Sequence, residues 1–205
     1  MKKYWLLVVF FLLGVIWSGI NPFNRWHWIG EIAPNIIGLV LLVKMFPTFR
    51  FTYFTYLMIL LSCWFIFIGA HYTFSRVPGI KELGEVFGLE RNNFDKMGHF
   101  IQGIVPVLIS REYFLRRKLV SHKWIGFIAF CVCMTTTAVY EIIEYFVCLI
   151  AGKQIESFTG MQGYMWDSQT DMLAAMLGGL LIVFFLQRWH NRLMDKEFPG
   201  EKAKC

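Results

Sequence analysis

Apolar positions along this chain come in long unbroken runs rather than at every third or fourth residue. A helix needs roughly 20 mostly apolar residues to cross a hydrocarbon core about 30 Å thick. Six segments have that character or come close to it: 4–20, 31–46, 52–72, 95–110, 124–150 and 167–189. The second and fourth are short and contain Pro34 and Pro106, which membrane helices tolerate where neighbouring groups satisfy the freed carbonyl. The first follows Lys2 and Lys3 and lacks a small-x-small cleavage site, so it reads as an uncleaved span rather than a signal peptide. The pattern therefore predicts an all-α, polytopic six-helix membrane bundle. It forms one integral domain over 1–205, with 190–205 as a cytoplasmic tail.

Polar residues between the runs orient the bundle. With the N-terminus inside, fourteen of the 20 lysines and arginines face the cytoplasm, the last of them Lys202 and Lys204. Arg25, Arg76, Lys81, Arg91, Lys96 and Lys153 are then outside. The excess of positive charge places both termini in the cytoplasm. In the outer loop 73–94, Ile80, Leu83, Val86 and Phe87 recur at helical spacing, as in a short helix lying on the membrane surface or an ordinary connecting loop. Composition agrees: 57% hydrophobic and 17% charged residues exclude a water-facing globule, whose charged share is near one-quarter. The net charge of +6 follows from loop bias and attraction to anionic lipid and calls for no nucleic acid. The five cysteines form no disulfide framework. Cys131 and Cys133 lie about 200° apart around a helix and cannot readily share an ion.

Ionisable residues inside the spans carry the chemistry. A charge near the bilayer centre costs about 2.5–3.5 kcal/mol on insertion scales, so such residues face the bundle interior and mark sites. His71 closes the third span, Asp95 and His99 open the fourth, Glu141 and Glu144 lie in the fifth, and Asp167 and Asp171 open the sixth. Spacings of three or four put each pair on one helix face. In the predicted topology His71 and the aspartate-led pairs all lie at outer helix ends. Counting back from Gly152, Glu144 is roughly 12 Å and Glu141 roughly 16 Å deep. No comparable acids are evident in the cytoplasmic half, and Lys96 points to a different face of its helix from Asp95.

Histidines and carboxylates from facing helices are usual metal ligands in bundles, and the histidines favour zinc, manganese or iron over calcium. The expected site has His71, His99, Glu144, Asp167 and Asp171 as ligands, with Asp95 or Glu141 as general base or acid. Glu31, Asn35, Gln102 and Gln169 are candidates to orient these ligands. Ala174, Ala175, Gly178 and Gly179 form small-xxx-small pairs suited to close helix packing.

Four segments carry a likeness to known proteins: Gly-Ala-His-Tyr-Thr-Phe at 69–74, Asn-Phe-Asp-Lys-Met-Gly-His-Phe at 93–100, Tyr-Glu-Ile-Ile-Glu-Tyr at 140–145, and Gln-Gly-Tyr-Met-Trp-Asp-Ser-Gln-Thr-Asp-Met at 162–172. Through them nearly the whole chain resembles the YjdF family of bacterial inner-membrane proteins. That resemblance implies a multi-pass inner-membrane location and no particular activity. The second half is also similar to VanZ-like membrane proteins, associated with glycopeptide-antibiotic resistance. The shared features are Asp95-Lys96-x-x-His99-Phe100, the acidic helix with Glu141 and Glu144, and the glycine-containing helix led by Asp171. Where those proteins often carry asparagine, this chain has Ala175.

Three functions compete. One is a metal-dependent hydrolase or transferase acting on an outer-leaflet lipid or lipid-linked envelope intermediate. Another is a proton- or cation-coupled carrier, disfavoured by the one-sided polarity. The last is a non-enzymatic envelope factor with a structural metal.

Overall fold

The computed structural model describes residues 2–151 and 162–201. Gly152, Lys153, Lys202, Lys204 and Cys205 lie outside the described residues. Helix α1 covers Lys2–Gly19, α2 Arg25–Met45, α3 Tyr53–Tyr72, the short α4 Ile80–Glu85, α5 Phe94–Arg116 and α6 Ile125–Ala151. The last helix is compound: α7 (Asp167–Leu180) passes through a π-helical stretch (Leu181–Leu186) into α8 (Gln187–Glu197). Among the described residues there is no strand.

Helices α1, α2, α3, α6 and the continuous 167–197 rod are each long and apolar enough to cross a membrane. The 23-residue α5 matches them in length but carries Asp95, Lys96, Arg111, Glu112 and Arg116. It tolerates this charge because α3, α6 and α7 pack around it, with Ile104, Val107 and Leu108 at the centre of the core. The outward faces of α1, α2 and α6, including Leu6, Phe10, Ile37, Leu41, Ile142 and Phe146, are exposed and apolar, as lipid-facing surfaces should be.

Local capping explains where the elements depart from their expected limits. Helix α2 begins at Arg25, six residues before Glu31, because the Asn24 side chain accepts from the backbone N–H groups of Trp26 (3.0 Å) and His27 (3.1 Å). Thr52 caps α3 in the same way, its hydroxyl accepting from Thr55 N–H at 3.3 Å. Helix α4 follows left-handed Gly79, so the loop 73–94 does contain a short helix, with Val86 and Phe87 exposed just beyond its end. The final helix does not stop at residue 189. From Ile182 to buried His190 is eight residues, where two α-helical turns would take about 7.2. The wider π turn absorbs the excess and keeps His190 and Met194 on the core side, so the helix continues, packed against the bundle, to Glu197.

Helices α5 and α7 run in the same direction and touch backbone to backbone. A Cβ at Gly103 would overlap the Ala175 carbonyl, and one at Gly178 would overlap the Phe100 carbonyl. Gly103 and Ala175 each lie one turn beyond His99 and Asp171, so this close approach sets the distance between the two functional side chains. The small residues expected to pack closely thus also position the site.

Candidate metal centre at the acidic end of the bundle

Helices α2, α5 and α7 start, and α3 and α6 finish, at one end of the bundle. Because i and i+4 share a helix face, Asp95 and His99 both point from α5 into the gap beside α6 and α7. His99 Nε2 lies 3.6 Å from Asp95 Oδ1, 3.7 Å from Glu141 Oε1 and 4.0 Å from Asp171 Oδ1. Those separations are too long for hydrogen bonds. Two atoms bound about 2.0–2.1 Å from a tetrahedral ion lie roughly 3.3 Å apart, so the spacing is close to that of ligands sharing one ion. Asp95, His99 and Asp171 each offer a ligand atom, all within 4.8 Å of one another. His99 Nδ1 and both Glu141 oxygens are buried without a well-formed hydrogen bond, Ser168 being the hydroxyl within reach of Glu141. The donor set of one imidazole and several carboxylates fits a divalent transition ion.

Two cations cap the group. Lys96 Nζ is 2.7 Å from Asp171 Oδ1 and 2.8 Å from Asp167 Oδ1, and Arg91 Nη2 donates to the same Asp167 oxygen at 3.0 Å. Lys96 does lie on a different face of its helix from Asp95, yet it joins the group. Helix α7 stands beside that face and supplies two carboxylates. Asp167 is therefore engaged by Lys96 and Arg91 rather than grouped with His99.

A further layer comes from α2. Tyr140 donates its hydroxyl to Glu31 Oε2 at 3.1 Å, while its ring packs edge-on to His99 with centroids 5.9 Å apart. His27 Nε2 approaches Glu31 Oε1 at 3.6 Å. Glu31 thus reaches the site through Tyr140. Asn35 donates to the Glu31 carbonyl at 2.7 Å, and Gln169 is exposed. Glu144 is half-buried and within electrostatic range of Asp95, Glu141 and Asp171, outside the tight group. His71 is elsewhere: its ring stacks on Trp17 at 4.9 Å and its Nδ1 lies 3.1 Å from the Ser18 carbonyl, tying α3 to α1.

The opposite, basic end holds a second polar centre that corrects the expected one-sidedness. Glu112 is fully buried and accepts from Thr52 N–H (2.7 Å) and from the hydroxyls of Thr52 (2.6 Å) and Thr55. His190 Nε2 lies 3.0 Å from its Oε1, and Arg116 Nη1 3.5 Å from its Oε2. Arg111, also fully buried, donates to Asn191 Oδ1 at 2.8 Å. These residues read as loop and tail in the sequence because each is flanked by basic residues. The available signal was the Thr52-x-x-Thr55 cap beside the start of an apolar run.

This arrangement defines a class: a multi-pass helical membrane protein with a buried His/Asp/Glu cluster between its central helices. Residues 3–192 match the model of the family described as Predicted membrane protein (DUF2238), and the chain belongs to that family. It is 38% identical over 183 residues to the inner membrane protein YjdF of Escherichia coli (strain K12), covering 89% of this chain and 88% of that relative. The relative's location, the family's description as a membrane protein and this chain's own long apolar helices place the chain in the inner membrane. No solved structure matches it.

Proposed function

We propose that this protein holds one divalent transition-metal ion between α5 and α7 and is a hydrolase or transferase acting on a lipid or lipid-linked substrate. In this reading all six long helices cross the membrane, with both termini cytoplasmic. The acidic end then opens outward, as the distribution of lysine and arginine favours. The observation that carries the reading is the convergence of Asp95, His99 and Asp171 with Glu141 beside them, its carboxylate lacking a well-formed hydrogen bond. Three protein ligands leave an open position, the arrangement of catalytic rather than structural zinc sites.

Asp95, His99 and Asp171 are the ligands, and an ion there would supply Lewis acidity to a bound water or substrate oxygen. Glu141 accepts the proton as general base. Lys96 and Arg91, on the outer side, orient an anionic phosphoryl or carboxylate group of the substrate. Relative to the sequence-based assignment, Asp95 moves from base to ligand, while His71, Glu144 and Asp167 leave the ligand set. The full chain, purified in detergent, incubated with zinc, manganese or iron and dialysed, should retain close to one equivalent by elemental analysis. His99→Ala and Asp171→Asn should each retain less than a tenth with unchanged helical content. Wild-type protein below a tenth of an equivalent sinks the proposal.

The Glu112–His190 centre favours a second reading, in which buried acids at both ends of α5 serve a proton- or cation-coupled carrier. That reading requires the two ends to be energetically coupled, which a double-mutant cycle between His99 and Glu112 measures.

A further inference from the structure

A separate cavity of about 930 Å³ lies between α1, α2, α3 and α5, on the basic half of the bundle. Its volume is near the top of the range of about 300–1,000 Å³ usual for ligand pockets. Its floor is Val105 and Ile109 of α5 and Cys63 of α3, and its walls include Phe11, Leu39 and Leu42. It extends along α2 from Asn35 to Phe46, roughly 16 Å at 1.5 Å per residue. Gly38 lines it, and a Cβ built there meets nothing within 4 Å.

The mouth is chemically different from the floor. Lys44 lines it, and the Arg50 guanidinium stands 5.8 Å from the ring of Phe46, another lining residue. Neither cation makes an ion pair among the described residues, and both are exposed. Lys3 stands over Tyr4 at the same rim but is partly neutralised by Glu197 at 3.9 Å. The Tyr56 hydroxyl, also lining the groove, accepts from Phe51 N–H at 3.4 Å and keeps its own proton to donate. An elongated apolar trough ending at two exposed cations and a phenolic donor matches an anionic phospholipid in charge and in polarity.

We propose that this groove binds one acyl chain of an anionic phospholipid from the leaflet at the basic end, with the headgroup phosphate on Lys44 and Arg50. The site is on the other half of the bundle from the candidate metal centre and does not depend on it.

Native mass spectrometry of the full chain tests this, after exchange into detergent containing equal amounts of phosphatidylglycerol and phosphatidylcholine. Wild-type protein should retain one phosphatidylglycerol, at least fivefold over phosphatidylcholine. A Cβ at Gly38 meets nothing within 4 Å, so Gly38→Phe projects its ring from the trough lining and should cut retention of both lipids at least fivefold. Gly38→Leu should act in the same direction if the larger ring impairs folding. Lys44→Ala combined with Arg50→Ala, both exposed, should abolish the preference while leaving lipid bound. Three results would overturn the proposal: equal retention of the two lipids by wild type, undiminished retention in both Gly38 variants, or a wild-type dimer that Gly38→Phe dissociates. The last would assign the groove to a second copy of the chain.

Discussion

Lys96 is the residue whose role most depends on three dimensions. Along α5 it is turned about 100° from Asp95, which by helical spacing alone removes it from the cluster. Spacing describes only one helix, and the neighbour on that side, α7, brings Asp167 and Asp171 to within 2.8 Å and 2.7 Å of its ammonium. Removing one partner of a fully buried ion pair costs about 3–5 kcal/mol. The Lys96 side chain keeps 20% exposure, so Lys96→Met should cost nearer 2 kcal/mol, read as a lowered midpoint in a thermal or denaturant titration. Arg91 still covers Asp167, which confines the unpaired charge to Asp171. If the cluster holds an ion, excess zinc or manganese should restore most of the lost stability in Lys96→Met, because a second cation then neutralises Asp171. A deficit insensitive to metal would mean that the ammonium is structural and the group cannot take an ion. His71 teaches the reverse lesson. Its place at the right end of the right helix made it a ligand candidate, and stacking on Trp17 engages it elsewhere.

At the level of elements, the pairing of α5 with α7 fixes the site, and its cause was visible in the sequence only as a packing motif. Small residues at 174, 175, 178 and 179 announced a close approach but could not name the partner or link the contact to His99. The structure supplies both through the Gly103–Ala175 and Gly178–Phe100 contacts. A methyl group added at either glycine meets backbone, which cannot rotate away. Gly178→Ala and Gly103→Ala should therefore each lose about 3 kcal/mol, the upper part of the range for overpacking. They should also lower metal content by separating His99 from Asp171. Gly98→Ala, on the same helix with nothing within 4 Å, should instead be neutral or stabilise by up to about 1 kcal/mol through helix propensity. Thermal unfolding of the three variants checks this. Equal losses in all three would make the effect one of helix composition rather than of contact. The helical runs themselves were legible because lipid demands continuous apolar segments. Their ends were less so, since Asn24 capping and the π turn after Leu180 act through backbone groups that an apolar count does not register.

For the whole molecule, the sequence suggested a polar outer layer over an inert inner half, and the structure has a buried polar centre at each end of α5. The asymmetry was misread because Glu112 and His190 sit among arginines and lysines, where an acid or imidazole resembles ordinary solvated charge. Only assembly around Thr52 and Thr55 buries them. Two such centres on one helix can be independent braces or the two ends of a moving element. His99 and Glu112 are 13 residues apart on α5, which is about 20 Å. Substitutions more than about 10 Å apart without shared partners add to within roughly 0.5 kcal/mol. Glu112→Gln keeps the side-chain volume and one carbonyl oxygen but weakens its pairing with His190 and Arg116, for an expected loss of about 3 kcal/mol. An enzyme with a rigid scaffold predicts that this loss is the same in wild type and in His99→Ala, and that Glu112→Gln leaves metal content unchanged. A carrier predicts otherwise, because occupancy at one end must bias the other through a coupling of about 1–3 kcal/mol. The cycle of His99→Ala, Glu112→Gln and the double variant should therefore close to within about 0.5 kcal/mol. Non-additivity above about 1 kcal/mol, lost when the metal is chelated, would instead make α5 the element that carries the signal between the two ends and would favour transport over catalysis.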